Sequence, residues 1–221
     1  MSVAMCAMAR DDGIEHIVAT PHSNDVYFYD RPQLEAMLDE LRRKVGHCPQ
    51  LSLGCDFHFS YDNIQDALQQ PRQFTIGNTL YLLVEFSNYS LPPSIDENLA
   101  RLINVGLRPI ITHPERNPLI QRHPPRVLDW VRGGCLVQMT GSALTGRWGK
   151  TAQTTAQWLF EQKAVHVLAS DGHNLDSRKP TLSKAREAAA SLADDFVAEA
   201  LTILNPRAIV NGDPVPYFPK L

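Results

Sequence analysis

The stretch VHVLASDGHN, residues 165–174, ends a run of aliphatic and β-branched residues in Asp171, Gly172, His173 and Asn174. Such a run predicts a buried β-strand. Side chains alternate along a strand, so Asp171 and His173 are predicted to point to the same face. Two side chains able to bind a metal ion therefore stand where a strand is expected to stop.

The same pattern of an apolar run and a following polar segment recurs along the chain. The runs are IVAT (17–20), LSLGC (51–55), LYLLVEF (80–86), RPIIT (108–112), LVQMT (136–140) and VHVLAS (165–170). Most precede an amphipathic segment of helix length, the longest over 183–204, whereas LSLGC precedes a polar segment. This alternation predicts βαβ units and a parallel sheet or barrel whose strands are covered on both faces. With 221 residues, a single domain over 1–221 is expected.

Composition excludes several classes of protein. The chain has 21 Lys plus Arg against 24 Asp plus Glu, a net charge of −3, and no basic block, so nucleic acid is not expected as a partner. Apolar runs stay far below the roughly 20 residues that a membrane span needs. The amino terminus lacks the pattern of a secretory leader. A soluble, cytoplasmic protein is predicted.

The cysteines argue against thiol chemistry. The four cysteines are scattered without a CxxC pair, and none is followed six residues later by Arg. Zinc knuckles, a disulfide framework and the phosphate loop of thiolate phosphatases are therefore not indicated. All four cysteines are interpreted as small buried hydrophobic residues.

Polar side chains of one chemical kind follow five of the six predicted strands. In barrels of alternating strands and helices, the carboxyl ends of the strands meet on one face, where active sites are built. Histidines and carboxylates together suit divalent transition metals, and the absence of thiolates favours hydrolytic chemistry. The candidates are His22, Asp56, His58, Glu85, His113, Asp171 and His173.

The remaining histidines, His16, His47, His123 and His166, lie in turns, loops or strand starts. We interpret these four as having no role in the site.

Two arginines stand near the candidate histidines. Arg116 lies three residues after His113 in THPERN, and Arg178 five after His173. The guanidinium group matches phosphate oxygens in pairs, so together they indicate a phosphorylated substrate. The segment GSALTGRW (141–148) is similar to a phosphate loop but lacks the GK[ST] ending, and it is given little weight.

The motifs ATPH, GCDFH, LVEF, THPERN, GKTAQ, SDGHN and NPRAIVNGDPV appear in this order. They resemble the polymerase and histidinol phosphatase (PHP) superfamily. Within it the chain is most similar to the bacterial capsule and exopolysaccharide tyrosine-protein phosphatases. The resemblance implies a distorted, seven-stranded β/α barrel. It also implies up to three divalent ions at the carboxyl-end face, most often manganese, with iron or zinc as alternatives.

Carried over by motif, six side chains would share these ions. His22 and His173 would hold one ion, Glu85 and His113 a second, Asp56 would bridge, and Asp171 would complete the remaining site. Arg116 and Arg178 would hold the phosphoryl group. His58, two residues beyond Asp56 on the same predicted strand face, is a candidate for assisting the leaving group.

The amino terminus departs from the family pattern. Family members open with a strand that carries His-x-His, whereas this chain begins within the next helix, at SVAMCAMARDDG. Without that strand, one metal site is expected to be half built and the barrel unclosed. The unpaired strand edges are then able to recruit a partner or a second copy of the chain.

The resemblance implies metal-dependent hydrolysis of phosphotyrosine, on the tail of a bacterial tyrosine kinase that controls capsule or exopolysaccharide synthesis. Two alternatives stay open. One is a phosphatase of small phosphomonoesters, and the other is an inactive regulator that binds phosphotyrosine.

Overall fold

The computed structural model describes residues 1–219 and shows short parallel strands alternating with helices. A six-stranded sheet has the order β2-β4-β5-β6-β7-β8, and β1 pairs with β3 beside it. Every pairing is parallel. The strands are β1 (His16–Ala19), β2 (His22–Ser23), β3 (Gln50–Leu53), β4 (Asp56–His58), β5 (Tyr81–Glu85), β6 (Arg108–Thr112), β7 (Leu136–Thr140) and β8 (Val167–Ala169).

One helix precedes β1, three follow β8, and the others connect strands. The helices are α1 (Ser2–Asp11), α2 (Arg31–Val45), α3 (Tyr61–Gln69), α4 (Ile95–Asn104), α5 (Pro118–Arg122), α6 (Pro125–Arg132), α7 (Gly141–Leu144), α8 (Lys150–Glu161), α9 (Ser183–Leu192), α10 (Asp195–Glu199) and α11 (Asn205–Asn211). Short 3-10 turns occupy Ile76–Asn78 and Pro114–Arg116, and a π-helical turn, Ala200–Leu204, joins α10 to α11. Within residues 1–219, no helix is both long and apolar enough to cross a membrane.

All six predicted strand runs form strands, but the first two are each broken into two. Proline has no N–H to donate to a ladder, and Pro21 separates β1 from β2. Gly54 separates β3 from β4 next to the point where Pro21 separates the paired strands. A Cβ atom at Gly54 would lie 3.0 Å from Val18 Cγ1. The close approach requires glycine. Single hydrogen bonds, Gly54 N to Ala19 O (2.8 Å) and Asp56 N to Pro21 O (3.0 Å), carry the pairing across the bend.

The centre of the sheet is covered on both faces, as predicted. Every residue of β7 is buried, and so is every residue of β6 after Arg108. In β4, Phe57 is fully buried while its neighbours Asp56 and His58 are partly exposed. Side chains alternate along β4, so Phe57 points into the core while Asp56 and His58 point to the other face.

The polar segment after LSLGC contains α3, capped by Ser60. Two local expectations were wrong. The segment 183–204 is not one helix, because it breaks at Ala193 and Asp194 caps α10 by accepting a 2.8 Å hydrogen bond from Val197 N. Cys48 is exposed, whereas the other three cysteines are buried as expected.

The main sheet is open in the part of the chain that the structure describes. β2 and β8 form its two edges and do not pair with each other. This agrees with the expected unclosed barrel. The carboxyl ends of all six strands nevertheless lie along one edge, because every pairing is parallel.

Candidate metal centre

Four of the six predicted metal ligands come together at the carboxyl edge of the sheet. Strand register places His22 directly opposite Asp56. His22 Nδ1 lies 3.4 Å from Asp56 Oδ2 and 3.6 Å from Glu85 Oε2. His113 Nε2 lies 3.7 Å from Glu85 Oε1 and 3.9 Å from Asp56 Oδ2. Each carboxylate therefore lies between two histidines.

The electrostatics of this cluster favour positive charge. The nearby carboxylate of Glu85, together with the charges of Asp56 and Asp171, raises the pKa of His22 above its usual value despite partial burial. Burial alone would lower the pKa of His113, but the neighbouring carboxylates, Asp56 first among them, outweigh burial and raise it. The carboxylates at this edge thus create a field that attracts cations.

The donor set fits a divalent metal ion. One ligand atom from each of His22, Asp56 and Glu85 lies within 4.8 Å of the others, and all three side chains are partly exposed. Among residues 1–219, His22 Nδ1 is buried without a hydrogen-bond partner. Mixed imidazole and carboxylate ligands suit Mn, Fe or Zn better than a soft thiolate metal. His113 Nε2 lies within 4 Å of both carboxylates of this group.

His113 and Asp171 share an unusual backbone conformation. Both have positive φ, 33° for His113 and 49° for Asp171, although neither is glycine. Such residues are uncommon, and they concentrate at functional sites where the surrounding structure holds them. His113 directly follows β6, and Asp171 stands two residues after the end of β8, so both unusual conformations lie at the carboxyl edge of the sheet.

Asp171 and His173 lie close together, but not for the predicted reason. β8 ends at Ala169, so both residues are in a loop and strand alternation does not apply. His173 Nδ1 is 3.6 Å from Asp171 Oδ1, and 44% of its side chain is exposed. Asp171 is near enough to raise the pKa of His22. The two residues form a second group beside the four-residue cluster.

Arg116 and Arg178 converge on Asp171, where a guanidinium nitrogen of each pairs with Oδ2. Asn174 folds the SDGHN loop back by accepting hydrogen bonds from Ser177 N (2.8 Å) and Arg178 N (2.9 Å). This turn brings Arg178 to the site. Among the described residues, Arg178 Nε is buried without an acceptor.

Sequence reasoning missed two residues at the site. Glu115 is fully buried, its Oε1 accepts a 3.0 Å hydrogen bond from Thr140 N, and burial raises its pKa to about 7. It fastens THPERN to the end of β7. Trp148, from the segment given little weight as a phosphate loop, lies against both arginines. The position of Glu115 between His113 and Arg116 in the sequence could have indicated it. No sequence signal pointed to Trp148.

The other histidines lie away from this cluster, as interpreted. His47 and His123 are exposed in loops. His16 contacts Ser52 Oγ at 2.8 Å from the first residue of β1. His166 is fully buried just before β8 and accepts a 3.1 Å hydrogen bond from Val137 N. His58 lies on β4 opposite Glu85, and its role stays a prediction.

Comparison with known families settles the relationship. Residues 1–211 match the model of the family described as capsular polysaccharide synthesis, CpsB/CapC. The chain belongs to the CpsB/CapC family. The family resemblance expected from the motifs is confirmed.

Curated CpsB/CapC relatives are named as tyrosine-protein phosphatases. The chain is 27% identical over 218 residues to tyrosine-protein phosphatase CpsB of Streptococcus pneumoniae, covering 95% of this chain and 89% of CpsB. It is 29% identical over 180 residues to tyrosine-protein phosphatase YwqE of Bacillus subtilis, covering 80% of this chain and 71% of YwqE.

A solved structure shares the fold. It comes from a crystallographic study of YwqE from Bacillus subtilis and CpsB from Streptococcus pneumoniae, described as unique metal-dependent tyrosine phosphatases. The TM-score is 0.87 at 25% identity, over 96% of this chain and 87% of the solved one. The predicted PHP-type α/β fold is confirmed.

Proposed function

We propose that this protein is a metal-dependent protein-tyrosine phosphatase of capsule or exopolysaccharide synthesis, acting in the cytoplasm. One observation carries the proposal. The cluster of His22, Asp56, Glu85 and His113 lies beside two arginines, in a chain whose relatives are named as tyrosine phosphatases. A cation site next to a pair of phosphate-binding side chains suits metal-assisted hydrolysis of a phosphomonoester.

The metal ligands are proposed to be the same six side chains that the motifs indicated. His22, Asp56, Glu85 and His113 surround one position, and Asp171 with His173 contributes from the β8 loop. Manganese is the proposed ion, with iron or zinc as alternatives and up to three ions in all. A bound ion of this kind supplies a Lewis acid and lowers the pKa of water from near 16 to about 7.

Arg116 and Arg178 are proposed to bind the phosphoryl oxygens. Both side chains are mostly buried, so their charges act in a region of reduced screening. They would offset the negative charge that builds up as the phosphate ester breaks. Tyrosinate, with a reference pKa near 10, is a fairly good leaving group. A proton from His58 is proposed to assist its departure.

A polypeptide substrate accounts for the exposed apolar residues around the site. Large apolar side chains are exposed on the segments that follow β2, β4 and β5, which are neighbours in the sheet. Exposed aromatic groups on neighbouring segments are typical of interaction surfaces. We define Tyr27, Tyr61 and Tyr89 as the aromatic rim.

The rim favours a phosphotyrosine-bearing protein over a small phosphomonoester. Tyr27 connects the rim to the cluster, because its ring lies 6.0 Å from that of His22. We propose the tail of a bacterial tyrosine kinase as the substrate.

Purified protein tests the function directly. We expect manganese-dependent hydrolysis of a phosphotyrosyl peptide that EDTA abolishes and added manganese restores. Faster turnover of small phosphomonoesters than of the peptide would favour the small-molecule alternative. Metal-independent binding of the peptide without turnover would favour the regulator.

A further inference from the structure

Both arginines at the site contact the same aromatic ring. The guanidinium carbon of Arg116 lies 3.7 Å from the centre of the Trp148 ring, and that of Arg178 lies 5.3 Å away. Arg116 also approaches Thr140 Oγ1 at 3.4 Å. An arginine over an aromatic face is attracted by the negative charge of the ring. Trp148 is therefore the shared apolar contact of two groups that would otherwise be linked only through Asp171.

The ring of Trp148 is itself held in place. Its Nε1 donates a 2.9 Å hydrogen bond to Ser142 Oγ. The turn that carries it closes through Gly149 N and Gly146 O at 3.1 Å, and Gly149 has a φ of 86°, which glycine adopts without strain. The side chain is half-buried and packs against the main core. A fixed ring of this kind restricts the flexible side chains that rest on it.

We propose that Trp148 is a positioning residue, which holds Arg116 and Arg178 ready for the oxygens of a phosphoryl group; this rests on the proposed function of the two arginines. Arginine side chains lose much rotational freedom when they bind a ligand. A ring that restricts both arginines in advance removes part of that loss. Contact through the face of the guanidinium does not use its N–H groups, so those that do not pair with Asp171 can still donate to phosphoryl oxygens.

The test compares four proteins loaded with manganese: wild type, Trp148→Leu, Trp148→Phe and the control Trp158→Leu. Trp158 is also half-buried against the main core, and in residues 1–219 no arginine lies over its ring. Binding of inorganic phosphate is measured by calorimetry, and KM and kcat are measured with a phosphotyrosyl peptide.

Trp148→Leu is expected to weaken phosphate binding and to raise KM about tenfold, equivalent to about 1.4 kcal/mol. The change in kcat should be smaller, about threefold or less, because the arginines hold the phosphoryl group both before and during the reaction. Trp148→Phe keeps an aromatic face and should stay within about threefold of wild type. Trp158→Leu should match wild type in phosphate binding and KM, and manganese content should be the same in all four proteins.

A double variant tests whether Trp148 acts through Arg116. The loss of phosphate affinity in the protein with both Trp148→Leu and Arg116→Lys should be smaller than the sum of the losses in the two single variants, because Trp148 acts through the arginine. Fully additive losses, or equal weakening in Trp158→Leu, would overturn the proposal. If wild type fails to hydrolyse the peptide, the proposed function is wrong, and the phosphate titration still decides the role of Trp148.

Discussion

The parallel strands carry histidines at both of their ends, and the pKa values of these histidines shift in opposite directions. At the carboxyl edge, the pKa values of His22 and His113 are raised. At the amino edge, burial lowers the pKa of His16, and it lowers that of His166 to about 4. The residue type is constant, so the difference comes from the surroundings.

Carboxylates make that difference. His22 and His113 each lie within 4 Å of both Asp56 and Glu85. The imidazole of His166 instead accepts a 3.1 Å hydrogen bond from the backbone N of Val137, and among residues 1–219 it forms no ion pair with a carboxylate. A buried imidazole without a carboxylate is most stable when neutral. The carboxyl edge is therefore arranged to hold cations, whereas the histidine side chains at the amino edge are packed in a neutral form.

The largest expected effect is on activity at the carboxyl edge. His113→Ala removes a candidate ligand in contact with both carboxylates, so hydrolysis of a phosphotyrosyl peptide should fall by roughly 10²–10³-fold. Steady-state kinetics at saturating manganese measures the loss. The control is His123→Ala, since His123 is exposed in a loop. Equal losses in the two variants would remove the functional distinction between the cluster and other histidines.

At the amino edge the expected effect is on stability and depends on pH. His166 has a folded pKa of about 4 against an ordinary value of 6.5, so the unfolded chain binds its proton first as the solution is acidified. The contribution of the neutral His166 to the free energy of unfolding is fully present above pH 6.5 and falls toward pH 4. The loss is roughly 2–3 kcal/mol between pH 7 and 4.5. His166→Asn keeps an acceptor for Val137 N but cannot titrate.

Urea unfolding at both pH values measures this contribution. Subtracting the acid loss of His166→Asn from that of wild type isolates His166 from all other titrating groups. The exposed residue His47 provides the matched control, His47→Asn. An undiminished acid loss in His166→Asn would show that the buried imidazole does not make the amino edge sensitive to acid.

A smaller effect is expected at the aromatic rim. Tyr61 is 75% exposed and Tyr89 is 94% exposed, so replacing either with Ala should leave folding intact. KM for a phosphotyrosyl peptide should rise about threefold to tenfold, while KM for a small aryl phosphate should not change. Phe196 is 59% exposed on α10 and serves as the control, Phe196→Ala. Equal KM changes for both substrates would contradict peptide binding by the rim.

The smallest effect is expected from thiol alkylation. Cys55 lies next to Asp56 at the carboxyl edge but is fully buried, and burial raises its pKa. Burial also raises the pKa of Cys135 to about 12. Iodoacetamide should therefore modify the exposed Cys48 alone in the native protein. Mass spectrometry should detect that product while activity changes by less than about twofold. Inactivation would indicate a catalytic thiol at the carboxyl edge.

Much of the fold could be predicted because the signals were local. Runs such as RPIIT (108–112) and LVQMT (136–140) marked buried strands, and β6 and β7 have those bounds. The bends at Pro21 and Gly54 were missed, because they result from two strands turning together. The break at Ala193 was missed although Asp194, a residue type preferred at helix N-caps, gave a local signal for it.

The sequence by itself determined which side chains follow the strands, and the parallel order of those strands requires them to meet at one edge. Only the tertiary structure decided how they meet. The positive φ values of His113 and Asp171, the burial of Glu115 and the contact of Trp148 with two arginines all depend on segments distant in the chain. The physical reason is that strand periodicity acts over a few residues, whereas burial and charge are set by every neighbour in space.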